Sequence, residues 1–173
     1  FKALHQGPGA FVIPNPWDAG SARLLAGLGF PALATSSSAS AGVLGRRDGN
    51  VTREEAAAET IRLAGAAGLV GGSIEDATGN KDRPLYDLAQ ATERVAAAAQ
   101  AAHSFSFPFA LTARAENFLR GNPDLEDTIR RLQAYEKAGA DVLFAPGLPD
   151  LAAVRKVCAS LSKPFNFMVG IKG

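Results

Sequence analysis

Three residues that could do chemistry stand at the ends of short apolar runs in this sequence. Glu75, Arg114 and Ser36 each close such a run, and a helical pattern follows each one. This alternation is typical of β/α units whose parallel strands are buried on both faces, and in such folds chemistry gathers at the carboxyl ends of the strands. A carboxylate, a guanidinium and a hydroxyl at one edge suit a divalent cation and an anionic substrate. The pattern therefore indicates an enzyme.

The elements that must position these residues follow from hydrophobic periodicity. Strands are predicted at 11–15, 32–36, 71–75, 109–114, 142–145 and 165–169. Helices are predicted at 22–28, 52–67, 87–102, 125–138 and 150–161, the first of them capped by Asp18 or Ser21. The chain thus has six predicted strands joined by five crossover helices.

Two fold classes fit six parallel strands. A doubly wound sheet can close its core with six, whereas a (β/α)8 TIM-type barrel needs eight strands and about 250 residues. No G-x-G-x-x-G motif follows the first strand, where residues 15–20 read Asn-Pro-Trp-Asp-Ala-Gly, and this weakens the dinucleotide-binding alternative. We therefore expect a single α/β domain over residues 1–173, an incomplete (β/α)8 barrel with about six strands visible.

Composition excludes several classes of function. The formal net charge is +1, and basic residues alternate with acids, so no stripe exists that could follow a nucleic-acid backbone. Apolar runs are short, which predicts no membrane segment and a cytoplasmic protein. The single cysteine, Cys158, shares a helical stripe with Val154, Val157 and Leu161, so we expect a buried structural thiol in a reducing compartment.

Taken together, several motifs resemble the isocitrate lyase/phosphoenolpyruvate mutase superfamily in content and order. The motifs occupy residues 13–23, 35–38, 44–49, 74–76, 112–114, 138–141 and 164–166. The resemblance covers nearly the whole chain. It implies a (β/α)8 barrel, dependence on Mg²⁺ with Mn²⁺ as an alternative ion, and cleavage or formation of a C–C or P–C bond beside the carbonyl of a 2-oxo acid. By analogy it also implies a homo-oligomer, a tetramer in the family.

The sequence departs from the family pattern in two places. An Asp-x-(Asp or Glu)-x-Gly-x-Gly segment, whose acids bind the metal in the family, is absent between Asp48 and Glu75. An interior segment is therefore missing near 53–58, and the chain ends about where the seventh family strand ends. The gap reflects either a deletion or the omission of a mobile stretch, and we favour omission because losing an interior strand would expose an apolar edge.

The resemblance assigns the metal to Glu75, with a strand-end ion pair to Arg114 as the structural alternative. A lone carboxylate at the end of an apolar strand is costly to bury unless it is paired or bound to a cation. Asp76 should point to the opposite face and cap the loop that follows. Asp48 matches a family residue near the reacting centre, and the resemblance implies a catalytic role for it, although Asp-Gly is also a common turn sequence.

The remaining candidates concern substrate. Arg114 can bind a carboxylate or phosphonate through its planar fork and stabilise a developing enolate, and we assign it a catalytic role. Ser36, Ser37 and Ser38 offer hydroxyl and backbone N–H groups to an anion, although serine clusters are also common in loops. Four further candidates have structural alternatives. Asn166 is a substrate contact or a structural hydrogen-bonding residue, and Trp17 is a floor of the site or a core aromatic. Glu116 and Asn117 are substrate contacts or solvated loop residues.

The function expected from these residues is that of a Mg²⁺-dependent lyase, mutase or hydrolase acting on a small 2-oxo acid or phosphonate. The loop after Glu75 has no cysteine, which disfavours standard isocitrate cleavage. Two alternatives stay open: a catalytically silent barrel that binds a carboxylate metabolite, and a structural barrel within an oligomer.

Overall fold

The computed structural model describes residues 1–34, 36, 41, 42, 45 and 70–169. The chain divides into two compact units, one formed by Phe1 and residues 3–69 and the other by Lys2 and residues 70–173. The predicted helix at 52–67 and the join near 53–58 lie outside the described residues.

The helices whose full bounds the structure describes in the N-terminal part of the chain are α1 (Lys2–Gln6) and α2 (Ala19–Gly27). Helix α2 begins at a capping box in which Asp18 accepts a hydrogen bond from the Ser21 backbone N–H at 2.7 Å, while the Ser21 hydroxyl oxygen accepts one from the Asp18 backbone N–H at 3.1 Å. Both predicted capping residues therefore take part. The helix starts three residues earlier than periodicity alone predicts.

The predicted strands at 11–15 and 32–36 are wrong for the residues that the structure describes there. Residues 11–15, 32–34 and 36 adopt no strand, and one backbone bond, from Ala34 N–H to the Pro14 carbonyl at 3.1 Å, links the two segments. Pro14 and Pro16 lack the N–H groups that a strand ladder needs, which explains why the apolar run does not form one.

The second unit is a four-stranded parallel sheet with helices between successive strands. The strands are β1 (Gly71–Glu75), β2 (Ala110–Arg114), β3 (Val142–Phe144) and β4 (Phe165–Asn166), in that spatial order. The helices are α3 (Leu88–His103), α4 (Leu125–Lys137) and α5 (Leu151–Ala159), and a 3-10 helix occupies Phe118–Arg120. All seven α and β elements lie within a few residues of the predicted bounds, and β4 is shorter than predicted.

Helix α4 shows why the sequence folds this way. Asp124 caps its first turn by accepting from the Asp127 N–H at 3.0 Å, and the helix ends just before Gly139. Ile129, Leu132 and Tyr135 recur at helical spacing and are buried against the sheet, whose strand β3 is buried at every position. Burial of this stripe fixes the helix over the strands that carry the polar ends.

Cys158 is exposed, so the prediction of a buried thiol is wrong. Val157 is fully buried and Val154 is half-buried, and these residues mark the face of α5 that meets the core. Cys158 follows Val157 directly, and one residue corresponds to about 100° of rotation around a helix. The thiol therefore lies at the edge of the apolar stripe rather than within it.

Within the described residues, no helix combines the length and the apolar character needed to cross a bilayer.

Gly139 is held by two constraints that predict a large effect of substitution. Its φ of +107° disfavours any L side chain, and an added Cβ would lie 2.9 Å from the Ala99 Cβ on α3. Gly121 has a φ of +79° but open space around it. We expect Gly139→Ala to lower the free energy of unfolding by about 1–3 kcal/mol more than Gly121→Ala, because only the former also overpacks. Urea unfolding of both variants measures this, and equal losses would contradict the steric argument.

Candidate functional site

The strand register brings three of the predicted site residues into one row. Glu75 pairs with Arg114, Arg114 with Phe144, and Phe144 with Asn166, so the row crosses all four strands at their carboxyl ends. Residues in register on parallel strands point to the same face of a sheet. Ala113 and Ala115, which flank Arg114, lie in the core cluster, so this row occupies the face opposite the packed helices.

Arg114 is held in a fixed orientation by its neighbours. Its Nε and Nη2 donate to Oε1 of Glu116 at 3.0 and 2.6 Å, and its guanidinium carbon lies 5.0 Å from the centre of the Phe144 ring. The same Nη2 lies 3.6 Å from Oε2 of Glu75. These contacts leave the Arg114 side chain 23% exposed. A guanidinium held this way presents its remaining donors to a ligand without first losing conformational freedom.

Arg120 completes a group of four charges with this pair. Its Nη2 lies 3.6 Å from a carboxylate oxygen of Glu75 and 3.6 Å from Oε2 of Glu116. Glu116 is completely buried, and its Oε2 has no hydrogen-bond donor within the described part of the chain. Glu75, in contrast, keeps 39% of its side chain exposed. Two carboxylates and two guanidinium groups therefore converge at the ends of β1 and β2.

Asp76 occupies the opposite side of the same strand end. Its carboxylate accepts from the Glu116 backbone N–H at 2.9 Å, from the Tyr135 hydroxyl at 2.6 Å and from Nη1 of Arg131 at 3.1 Å. Asp76 points to the face opposite Glu75, as expected. The prediction that Asp76 caps the following loop is wrong, because its side chain is buried and joins β1 to α4. Burial of Tyr135 is the main cause that raises its pKa well above the usual value, and the neighbouring Asp76 carboxylate raises it further. The Tyr135 hydroxyl therefore stays protonated and donates.

A second set of contacts anchors the loop after β2. The Asn117 side-chain amide donates to Asp127 at 2.8 Å, and Asp127 also accepts from Nε of Arg131 at 2.7 Å. Glu116 and Asn117 are both fully buried, so the solvated-loop interpretation of these two residues is wrong. The sequence gives one usable signal for this set, since an Asp and an Arg four residues apart on a helix are expected to pair.

The other predicted site residues belong to the first unit. Trp17 is 54% exposed, which rules out the core alternative for its side chain within the described unit, and Ser36 is half-buried. Ser37, Ser38 and Asp48 lie outside the described residues. Their roles stay predictions.

The donors available to a divalent cation are oxygen atoms. Among the described residues, no three His, Cys, Asp or Glu side chains cluster as a metal-binding group. Glu75 supplies one accessible carboxylate, and Oε2 of Glu116, which accepts no hydrogen bond among the described residues, lies 3.6 Å from the same Arg120 nitrogen that contacts Glu75. Mg²⁺ typically keeps several waters and uses one or two carboxylates together with substrate oxygens. The donor set is compatible with Mg²⁺ in that mode, and Glu75 is the residue that could hold it.

The four strands form a parallel sheet, and charged residues lie in register at its carboxyl edge. These features define an α/β protein, a class in which catalytic residues typically lie at the carboxyl ends of the strands. The phosphoenolpyruvate phosphomutase family model matches residues 1–58 and 51–173. The chain belongs to this family, as the sequence motifs indicate. Its structural neighbours are members of the phosphoenolpyruvate mutase/isocitrate lyase superfamily of TIM-barrel enzymes, which confirms the expected fold class.

Known proteins similar to this chain span several activities. A provisionally assigned lyase/mutase from Burkholderia cenocepacia J2315 is 47% identical, with a TM-score of 0.89 over 99% of this chain and 72% of that one. A provisionally assigned phosphonomutase from the same organism is 32% identical, with a TM-score of 0.87 over 97% and 82%. An oxaloacetate decarboxylase from Bradyrhizobium diazoefficiens is 28% identical over 94% of this chain and 67% of that protein.

A more distant structure shares the fold. A phosphonopyruvate hydrolase, crystallised with oxalate and Mg²⁺, is 20% identical and has a TM-score of 0.84 over 96% of this chain and 70% of that one.

These comparisons bear on the interior of the chain. The alignment with the oxaloacetate decarboxylase runs over 201 positions, more than the 173 residues here, so the relative has residues within the matched region that have no counterpart in this chain. The two pieces of the family match overlap at residues 51–58, a stretch that includes the join inferred near 53–58. The missing interior segment stays a prediction.

Asp127 should make stability depend on pH in the acidic range. Burial opposes its ionisation, but hydrogen bonds from Arg131 and Asn117 more than compensate and hold the pKa of the carboxyl below its usual value. The contribution of Asp127 to the unfolding free energy is thus fully present above the pKa of Asp in the unfolded chain, which is about 4. This contribution is lost as the pH falls through the lower pKa of Asp127 in the folded protein. We expect Asp127→Asn to flatten the dependence of unfolding free energy on pH below about pH 4. Urea unfolding between acidic and neutral pH measures this, with the substitution of the exposed residue Asp82 by Asn as the control.

Glu116 should be needed for the rigidity of Arg114. Replacing it by Gln keeps the shape but removes the charge that receives two hydrogen bonds, so we expect a loss of about 1–3 kcal/mol in unfolding free energy. The matched control is Glu126→Gln, whose carboxylate pairs with Lys156 on the surface and should cost at most about 0.5 kcal/mol. Equal effects in chemical denaturation would show that the Glu116 pair does not hold the loop.

Proposed function

We propose that the chain is a Mg²⁺-dependent enzyme that makes or breaks a C–C or P–C bond next to the carbonyl of a small 2-oxo acid. One observation carries the proposal. Glu75 and Arg114 lie in register at the carboxyl ends of adjacent strands, and Arg114 is fixed by Glu116 and Phe144. The proposal is supported by this arrangement, because a carboxylate that would hold a cation lies beside a guanidinium that would bind an anion.

Glu75 would hold the ion, directly or through water. Its exposed carboxylate has the hard oxygen atoms that Mg²⁺ and Mn²⁺ prefer. When bound, the ion would act as a Lewis acid toward the oxygens of a 2-oxo acid. The oxalate and Mg²⁺ in the distant phosphonopyruvate hydrolase support this assignment, because oxalate resembles the enolate of pyruvate.

Arg114 would act on the same oxygens through its charge. Breaking a bond next to the carbonyl leaves an enolate, on which negative charge is larger than in the starting keto acid. A guanidinium that is already oriented interacts more strongly with that charge than with the ground state, which lowers the barrier without a reorganisation cost. Glu116 would contribute by keeping Arg114 in place and would not itself touch the substrate.

The remaining predicted residues complete the proposal. Asn166 lies in the same row as Arg114 and would offer its amide to the substrate. Ser36, Ser37 and Ser38 would bind the substrate carboxylate, Trp17 would floor the site, and Asp48 would orient water or the reacting group. The motifs that the sequence shares with the family support these assignments.

The relatives favour substrates of this chemical class. They include an oxaloacetate decarboxylase and a provisionally assigned phosphonomutase, so both C–C and P–C chemistry are represented. By analogy with the family, we propose that the protein is a homo-oligomer in the cytoplasm. Its ligands would be small molecules, and it would bind neither nucleic acid nor membrane.

A second candidate is a catalytically silent barrel that binds a carboxylate metabolite without metal. The observation in its favour is that Glu75 already faces two guanidinium groups at 3.6 Å, while no three-residue metal cluster exists in the described ranges. In this case Arg114 would bind the anion and Glu75 would serve as its structural ion-pair partner.

Calorimetric titration with oxalate, in the presence and absence of Mg²⁺, separates the two candidates. We expect oxalate binding to require Mg²⁺ and to weaken about tenfold or more in Glu75→Gln, because the ion loses its protein carboxylate. Glu126→Gln, a surface acid, should bind oxalate like the parent chain. Oxalate binding that is independent of metal, and unchanged in Glu75→Gln, would instead support the silent binding protein.

A further inference from the structure

Arg131 is a buried arginine to which the proposed function assigns no role. Only 9% of its side chain is exposed, whereas the side chain of Arg130, the preceding residue on α4, is 67% exposed. A guanidinium is costly to bury unless its charge is paired and its N–H groups are bonded. The contacts that meet this cost for Arg131 lead to the candidate site.

One nitrogen of Arg131 holds the loop that follows β1. Nη1 donates to the Asp76 carboxylate at 3.1 Å and to the Tyr86 carbonyl at 3.0 Å. Asp76 directly follows β1, and the backbone N–H of Tyr86 donates to the Asp76 carbonyl at 2.9 Å. Arg131 therefore bonds to both ends of the loop at residues 77–85.

Two further paths connect Arg131 to the loop that follows β2. Its Nε donates to Oδ2 of Asp127 at 2.7 Å, and the same oxygen accepts from the Asn117 side-chain amide at 2.8 Å. The second path runs through Asp76, which accepts from the Glu116 backbone N–H at 2.9 Å. Glu116 and Asn117 are adjacent, and both are fully buried. One guanidinium on α4 is thus joined to the loops at the ends of two neighbouring strands.

These loops determine where the charged side chains of the site lie. Glu116 accepts two hydrogen bonds from Arg114, at 3.0 and 2.6 Å, and Glu75 directly precedes Asp76. A change at Arg131 would therefore reach both Glu75 and Arg114 through the backbone segments beside them. A misplacement of about 1 Å in a site can reduce the rate of a reaction roughly a hundredfold.

We propose that Arg131 is a positioning residue, which aligns Glu75 with Arg114 by bonding to the loops that follow both strands. The inference rests on the proposed function, which requires this alignment. Arg131 would not touch the substrate. Its planar fork matters because Nε and Nη1 bond to different segments at once, and the single nitrogen of a lysine cannot occupy both positions.

Arg131→Lys tests this role, since it keeps the charge and removes the fork. Calorimetry with Mg²⁺ and oxalate should give a dissociation constant about tenfold or more higher than that of the parent chain, because the supporting contacts of the site are lost. A second readout reports on orientation directly. The NMR order parameter of the Arg114 Nε–H bond should fall below about 0.6, the range of flexible groups.

Ile129→Val is the matched control for lost stability. Ile129 is buried in the core on the same helix, and its side chain cannot take part in the hydrogen bonds of Arg131. The substitution should lower the urea midpoint. It should leave the oxalate dissociation constant within about twofold of the parent value and the Arg114 order parameter unchanged, because effects at independent sites do not couple.

Asp127→Asn tests the same role if Arg131→Lys does not fold. It weakens the bond from Nε of Arg131 without removing the buried cation. We expect a dissociation constant for oxalate about threefold or more higher, together with a lower order parameter for the Arg114 Nε–H bond.

The outcomes separate this role from the proposed function. If Arg131→Lys, or Asp127→Asn in its place, leaves either readout at the parent value, the positioning role is overturned and the proposed function stands. Equal weakening of oxalate binding in Ile129→Val would also overturn the positioning role, since any loss of stability would then suffice. If the parent chain binds no oxalate in the presence of Mg²⁺, the proposed function fails, and the positioning role with it.

Discussion

The buried carboxylate of Asp76 is the constraint on which the second unit depends. A carboxylate without partners would be unstable at this depth, and here three donors from two segments satisfy it: the Glu116 backbone N–H in the loop after β2, and the Tyr135 hydroxyl and Arg131 guanidinium on α4. These bonds connect β1, the loop after β2 and helix α4. The position of the loop is thus determined by the same contacts that attach the helix to the sheet.

The arrangement of charged side chains at the strand ends follows from the contacts that join the loop after β2 and helix α4 to β1. Once the loop after β2 is fixed, the Glu116 side chain lies beside Arg114, and its two hydrogen bonds select one orientation of the guanidinium. Burial of Glu116 would be unfavourable without this cation and Arg120. Arg114 is therefore both the ion-pair partner of the buried Glu116 carboxylate and the residue that we propose binds the substrate anion.

Sequence patterns predict the parts of the molecule that depend on local periodicity. The bounds of α4 and β1 and the strand-end positions of Glu75 and Arg114 all follow from short windows of residues. The role of Asp76 could not be predicted, because its side-chain partners are 40, 55 and 59 residues away and no local pattern encodes such contacts. The burial of Glu116 was missed for the same reason. The apolar run at residues 11–15 was misleading because its prolines cannot join a ladder.

Adjacent residues on β1 serve opposite purposes, and this has a consequence for the fidelity of folding. Glu75 faces the row of charged residues while Asp76 faces the helices, because side chains alternate along a strand. A shift of β1 by one position would exchange these two environments, placing a partly hydrated acid in the interior and leaving Tyr135 and Arg131 without their acceptor. A misaligned chain would lose the hydrogen bonds of Asp76 and the alignment of Glu75 with Arg114 together, so stable molecules that lack this alignment should not accumulate.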